Sequence, residues 1–204
     1  ELQIATEYLV EPSCSAIKGS FPIVKTSRNQ LDAEEKLTSL VKSASGSFIL
    51  IDSRDKTNED ADTGKKIDET IRSIKQNPPA GIKGLIILSN EKLMWRGATS
   101  QSSIPVVTIK KELDLNDVHS IEIVVDAKFI KKYETQNVAG SIPGTSKTDS
   151  TIVIVAHYDH LGKMGKDVYF PGANDNASGV SMLLSMAKHY SVNKPKYNMV
   201  FICL

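Results

Sequence analysis

The chain is 204 residues long, 40% apolar and 24% charged, the proportions of an ordinary folded chain of one or two domains. Its 25 Lys and Arg balance 24 Asp and Glu, so no basic excess marks a nucleic-acid surface, and no apolar run approaches the ~20 residues that span a bilayer. Two cysteines, Cys14 and Cys203, are too few for a disulfide framework, and because the sequence starts at Glu1 rather than Met, any signal or anchor segment is expected to have been removed.

Residues Glu1–Val10 alternate weakly, a pattern that does not choose between a strand and the end of a helix. Pro12 to Asn29 is rich in Pro, Ser, Gly and Lys, which predicts loop with one short strand at Phe21–Lys25. Leu31, Leu37, Leu40 and Val41 among charged residues predict a short helix over 31–42. Ser47–Asp52 is a strand, and the polar, acidic stretch 53–65 after it reads as a solvated loop. Its carboxylates lack the spacing, the fixed Gly and the terminal Glu of an EF-hand. Ile67, Ile71 and Ile74 recur at helical spacing and predict a helix over 65–76, ended by Asn77, Pro78 and Pro79. Gly84–Ser89, Ser103–Ile109 and Ser120–Asp126 are further strands. Trp95 and Arg96, between the first two of these, are residue types that dominate binding hot spots, but a lone loop tryptophan ordinarily packs on its own domain. His119 and His189 have no partner cluster and read as structural. Charged residues 128–136 mark a change of domain, 137–144 a strand and turn, and 145–150 a polar, hairpin-like connection.

Thr151–Ala156 is an unbroken, mostly β-branched run, which reads as a strand buried on both faces, as in a parallel sheet. His157 and Asp159 leave its carboxyl end, where open α/β sheets build their sites. Residues two apart in an extended segment point the same way, so Asp159 can accept the ring N–H of His157, the support a metal-binding imidazole usually needs. Eighteen residues beyond His157, Asp175 stands at the mouth of a predicted helix in which Val180, Leu183, Leu184 and Ala187 recur at helical spacing. A carboxylate there can bridge two cations, and Ala177, Ser178 and Gly179 let backbone pass close by. Lys194 and Pro195 end the helix, Asn198–Leu204 is another strand, and the whole is a βαβ unit, expected to be right-handed.

The runs His157-Tyr158-Asp159-His160 and Gly172-Ala173-Asn174-Asp175-Asn176-Ala177-Ser178-Gly179, in this order and separated by a loop, resemble the co-catalytic zinc aminopeptidase family. Gly81–Ile87 followed by Ser102–Val107 resembles the end of the protease-associated domain that interrupts many of its members. The resemblance implies an α/β chain: a segment 1–29 leading in from the catalytic domain or a linker, a protease-associated module over 30–127, and over 128–204 the first part of a zinc-peptidase domain, a mixed sheet with helices on its faces. It implies two zinc ions, with His157 a terminal ligand of one, Asp175 bridging both, and Asp159 in the catalytic site orienting His157. Asn174, where the family more often has Asp, is not a ligand position, and His160 reads as a loop residue.

The resemblance further implies an exported enzyme, extracellular or periplasmic, that cleaves N-terminal residues from peptides by zinc-activated water. The family's Glu-Glu pair and its later Asp and His have no counterpart before Leu204. The chain is therefore expected to be an inactive piece of a longer enzyme, with uncovered apolar surface that favours a homodimer or exchange of segments. The alternatives are a non-catalytic relative that binds a partner through the protease-associated module, and carboxypeptidase or glutaminyl cyclase chemistry on the same fold.

Overall fold

The computed structural model describes residues 1–57 and 59–204, in two units, Glu1–Ile130 and Lys131–Leu204. Among the described residues the first unit contains β1 (Tyr8–Val10), β2 (Ile17–Ser27), α1 (Glu34–Ser43), β3 (Phe48–Asp52), α2 (Ala61–Gln76), β4 (Gly84–Leu88), β5 (Val106–Ile109) and β6 (Ser120–Val125). The second contains β7 (Val138–Ile142), β8 (Thr151–Ala156), β9 (Gly162–Met164), β10 (Val168–Phe170), α3 (Ser178–Val192) and β11 (Asn198–Cys203).

In the first unit six strands form one sheet in the order β1-β5-β4-β3-β2-β6. The inner strands β2, β3, β4 and β5 run parallel, and β1 and β6 close the two edges antiparallel. Such a parallel core buries both faces, which is why its strands read as continuous apolar runs. Alternation sorts them: Ile49, Ile51, Leu85 and Ile87 pack with Ile67, Ile71 and Ile74 of α2, whereas Phe48, Leu50, Ile86 and Leu88 pack with Val107, Ile109 and Ile123. Gly84 is where the sheet is tightest. A Cβ there would lie 2.2 Å from Cε1 of Phe48, so only glycine admits the ring.

Three expectations change here. β2 spans Ile17–Ser27 rather than Phe21–Lys25, pairing with β6 through Ile17–Pro22 and with β3 through Ile23–Ser27. Pro22, which has no N–H to donate, ends the first pairing, so a composition that suggests loop is compatible with an 11-residue strand. Residues 1–29, read as a lead-in, supply β1 and β2 to this sheet. The acidic stretch 53–65 is not all loop. α2 begins at Ala61, and Asp60 caps it by accepting the N–H groups of Asp62 (3.1 Å) and Thr63 (2.8 Å). Glu59 beside it accepts both bonds of Arg28 Nε, at 2.7 and 2.9 Å.

In the second unit β8 and β11 are parallel neighbours joined through α3, and β7 lies antiparallel on the far side of β11. The segment 145–150 is thus no hairpin, because β7 and β8 do not pair. Thr145 and Ser146 instead donate to the carbonyls of Pro195 and Lys196, at 2.9 and 2.8 Å. The core is small: Ala156, Leu183, Met199 and Phe201, with Val180, Met186, Ala187 and Tyr190 of α3 packed against it. β8 is not buried on both faces. It is an outer strand of three, and Ile152, Val153 and Val155 are 47%, 53% and 51% exposed. Leu184, expected on the buried stripe of α3, is exposed as well.

Candidate metal centre

The backbone ladder holds His157 at the end of β8. Leu204 N–H donates to Ala156 O at 2.9 Å and Tyr158 N–H donates to Leu204 O at 3.0 Å, so pairing brackets His157 on both sides. Tyr158 adds a side-chain tie, its hydroxyl donating to Gln136 O at 2.8 Å. Past it the chain turns, and Asp159 swings back to the ring: His157 Nδ1 lies 3.2 Å from Asp159 Oδ1 and 3.3 Å from the Asp159 carbonyl oxygen.

Asp175 comes from the wide helical turn Ala173–Ala177 that precedes α3. The turn is closed by Ala177 N–H donating to Gly172 O at 3.0 Å and by Ser178 Oγ donating to Asn174 O at 2.8 Å. Asp175 and Asn176 leave helical conformation inside it, with φ −120° and −138°, and the peptide between them is cis. Asn176 turns its side chain back so that Oδ1 accepts Gly179 N–H at 3.2 Å, which satisfies one of the free donors at the start of α3. Asp175 is thereby left facing away from the helix, with Oδ1 3.1 Å from His157 Nε2.

The three residues singled out by the sequence are therefore together, with the imidazole between two carboxylates. Asp159 takes one ring nitrogen and Asp175 the other. All three side chains are open to solvent, at 43%, 81% and 72% exposure for His157, Asp159 and Asp175. The donors that converge on one point are His157 Nε2 and Asp175 Oδ1. Zinc bonds of ~2.0–2.1 Å at tetrahedral angles hold their donor atoms about 3.3 Å apart, so this nitrogen and oxygen fit as two ligands of one such ion. Among the described residues no three His, Cys, Asp or Glu side chains gather as a metal-holding group.

Asn176 and Gly172 are the residues that sequence reading missed. Both lie in the motif run, which names them without assigning either a role. His160 lies beside Gly172, where a Cβ on the glycine would come within 2.8 Å of its Cβ.

Residues 137–204 match Peptidase family M28. Over 119 residues the chain is 33% identical to "Aminopeptidase YwaD" of Bacillus subtilis (strain 168), a match that covers 56% of this chain and 25% of that protein. Over 67 residues it is 33% identical to a "Probable zinc metalloprotease" of Pyricularia oryzae, covering 32% of this chain and 13% of that one. Among solved structures it is similar in fold to an aminopeptidase from Aneurinibacillus sp. strain AM-1, with a TM-score of 0.54 and 21% identity over 97% of this chain and 46% of that one. The chain thus spans less than half of each of these relatives.

Proposed function

We propose, from a chain whose residues 137–204 match peptidase family M28, that the whole protein is a zinc-dependent aminopeptidase removing N-terminal residues from peptides. The observation that carries this reading is the His157 ring held between two carboxylates, with Nε2 3.1 Å from Asp175 Oδ1. A neutral ring protonated at Nδ1, toward Asp159, points its Nε2 lone pair at a carboxylate oxygen. Two such electron-rich atoms are reconciled only by a proton or a cation.

His157 and Asp175 would hold zinc, with Asp175 shared between the two ions of the proposal. When bound, zinc polarises a carbonyl and lowers the pKa of water from 15.7 toward ~7. The chain's own residues do the positioning. Asp159, accepting the Nδ1–H, would favour the tautomer that leaves Nε2 free for a metal. Asn176 and the turn Ala173–Ala177 set the backbone from which Asp175 reaches His157. In the same proposal the unit Glu1–Ile130, with β1 and β2 in its sheet, carries the protease-associated module expected over 30–127, supported by its strand-helix-strand order, and an extracellular or periplasmic location rests on the resemblance alone.

The test is hydrolysis of aminoacyl nitroanilides by the natural full-length protein, with chelator and with zinc rescue. Activity abolished by the chelator and restored by zinc is expected, and His157→Ala should lose zinc and activity together. Activity that survives complete removal of metal refutes the reading, as does a His157→Ala protein with normal zinc content and rate. The 204-residue chain alone is expected to be inactive, since a catalytic zinc ordinarily needs three protein ligands. Calorimetry showing two tightly held zinc ions per chain would contradict that.

A further inference from the structure

Gly172 opens the turn that carries Asp175, and its backbone, φ −106° and ψ 34°, is not in the left-handed region that favours glycine. What excludes a side chain there is the Asp175 carbonyl oxygen of its own turn together with His160 of the opposite segment. A Cβ on Gly172 would lie 2.8 Å from His160 Cβ, 2.9 Å from His160 Cγ and 2.7 Å from the carbonyl oxygen of Asp175. Rotating His160 does not relieve this, because its Cβ is set by its own backbone. At Gly172 the segment entering α3 therefore lies against the His160 side chain of the segment leaving β8, with no room for a side chain of its own.

We propose that Gly172 is a positioning residue: its contact with His160 sets the separation of His157 and Asp175, and through it the affinity for the divalent cation that the pair holds. The second half of this inference rests on the zinc reading above, and the first half is geometry that needs no metal. Ordinary contact begins at 3.4 Å, so a methyl group at 172 must gain about 0.6 Å from His160 Cβ and about 0.7 Å from the Asp175 carbonyl oxygen, which shifts the turn that carries Asp175 against the segment leaving β8. Constellations of this kind must be held to within about 0.5 Å, so the displacement is large enough to matter.

The experiment uses the natural full-length protein, its Gly172→Ala and His160→Gly variants and the double variant. Each is titrated with Zn2+ alone by calorimetry, and each metal-free form is crystallised. Gly172→Ala is expected to weaken zinc binding about 10–100-fold, the loss typical of disturbed supporting contacts, and to widen the His157 Nε2 to Asp175 Oδ1 distance. His160→Gly, which removes the contact from the other side, is expected to weaken binding as well. The double variant should regain part of what Gly172→Ala loses. An unchanged 3.1 Å separation in Gly172→Ala overturns the proposal, as does wild-type affinity in His160→Gly or a double variant no better than Gly172→Ala. A parent protein that binds no zinc would sink the zinc reading, and the crystallographic separation would still decide the role of Gly172.

Discussion

Replacing Arg28 with methionine should be among the most damaging single changes in the first unit. The guanidinium is only 4% exposed and reaches Glu59, whose side chain is 10% exposed. Nη1 also reaches Asp68 at 2.7 Å and Ser53 Oγ at 3.4 Å, and Nη2 donates to Gly64 O at 3.1 Å. Methionine preserves most of the apolar stem, so the loss is one of charge and donors. Removing one partner of a buried pair costs about 3–5 kcal/mol, because the other charge stays behind unpaired. Asp68 is 59% exposed, and Asp68→Asn should cost below about 1 kcal/mol. Urea denaturation followed by the fluorescence of the single tryptophan, Trp95, reports on this unit. With slopes of about 1–3 kcal/mol per molar urea, Arg28→Met should lower the midpoint by at least about 1 M. Adding Glu59→Met should recover part of the loss, since an apolar replacement for a whole buried pair is often neutral. A loss under about 1 kcal/mol for Arg28→Met, or a double variant no more stable than the single one, would refute the argument.

Gly84→Ala places a methyl group against the Phe48 ring and should cost about 1–3 kcal/mol in the same assay, with partial relief from Phe48→Leu in the double variant; wild-type stability would show that the sheet yields there. Burial pushes the Cys14 thiol up to about 11 from 9.0, so the folded state holds that proton more tightly than the unfolded chain does. Its contribution to stability is full below pH ~9 and is lost as pH rises from there to ~11, by about 3 kcal/mol. Comparison with Cys14→Ala isolates this loss from other groups that titrate in the range, and identical profiles would disprove it. The uncovered edge of β8 and its half-exposed Ile152, Val153 and Val155 should make the 204-residue chain self-associate. Light scattering that shows a monomer at every concentration would count against this.

What the sequence made legible follows from the range of the interactions involved. Phe48–Asp52 and Gly84–Leu88 announce themselves because a strand covered on both faces is apolar at every position. His157, Asp159 and Asp175 are legible because a strand end, a two-residue spacing and a helix start are local features. Arg28 is not, since its burial depends on Glu59 and Asp68, 31 and 40 residues further on. Gly172 is illegible for the same reason, its meaning lying in a contact with His160 across the loop. β8 shows the opposite error. Its run of apolar residues is real, but a sequence pattern states that a strand can be covered and not what covers it.

Between the two donor-bearing segments lies the hairpin of β9 and β10, paired only with each other and turned through 165–167, with Gly165 at φ +62°. Its base is pinched shut where Gly172 meets His160. The hairpin is therefore an excursion whose two strands pair with each other and whose ends lie close together. An insertion at its tip, 165–167, is expected to leave the distance between His157 and Asp175 unchanged, which a structure of the insertion variant checks. Variation among related proteins should accumulate at that tip in length as well as in composition, as it does at exposed loop tips generally.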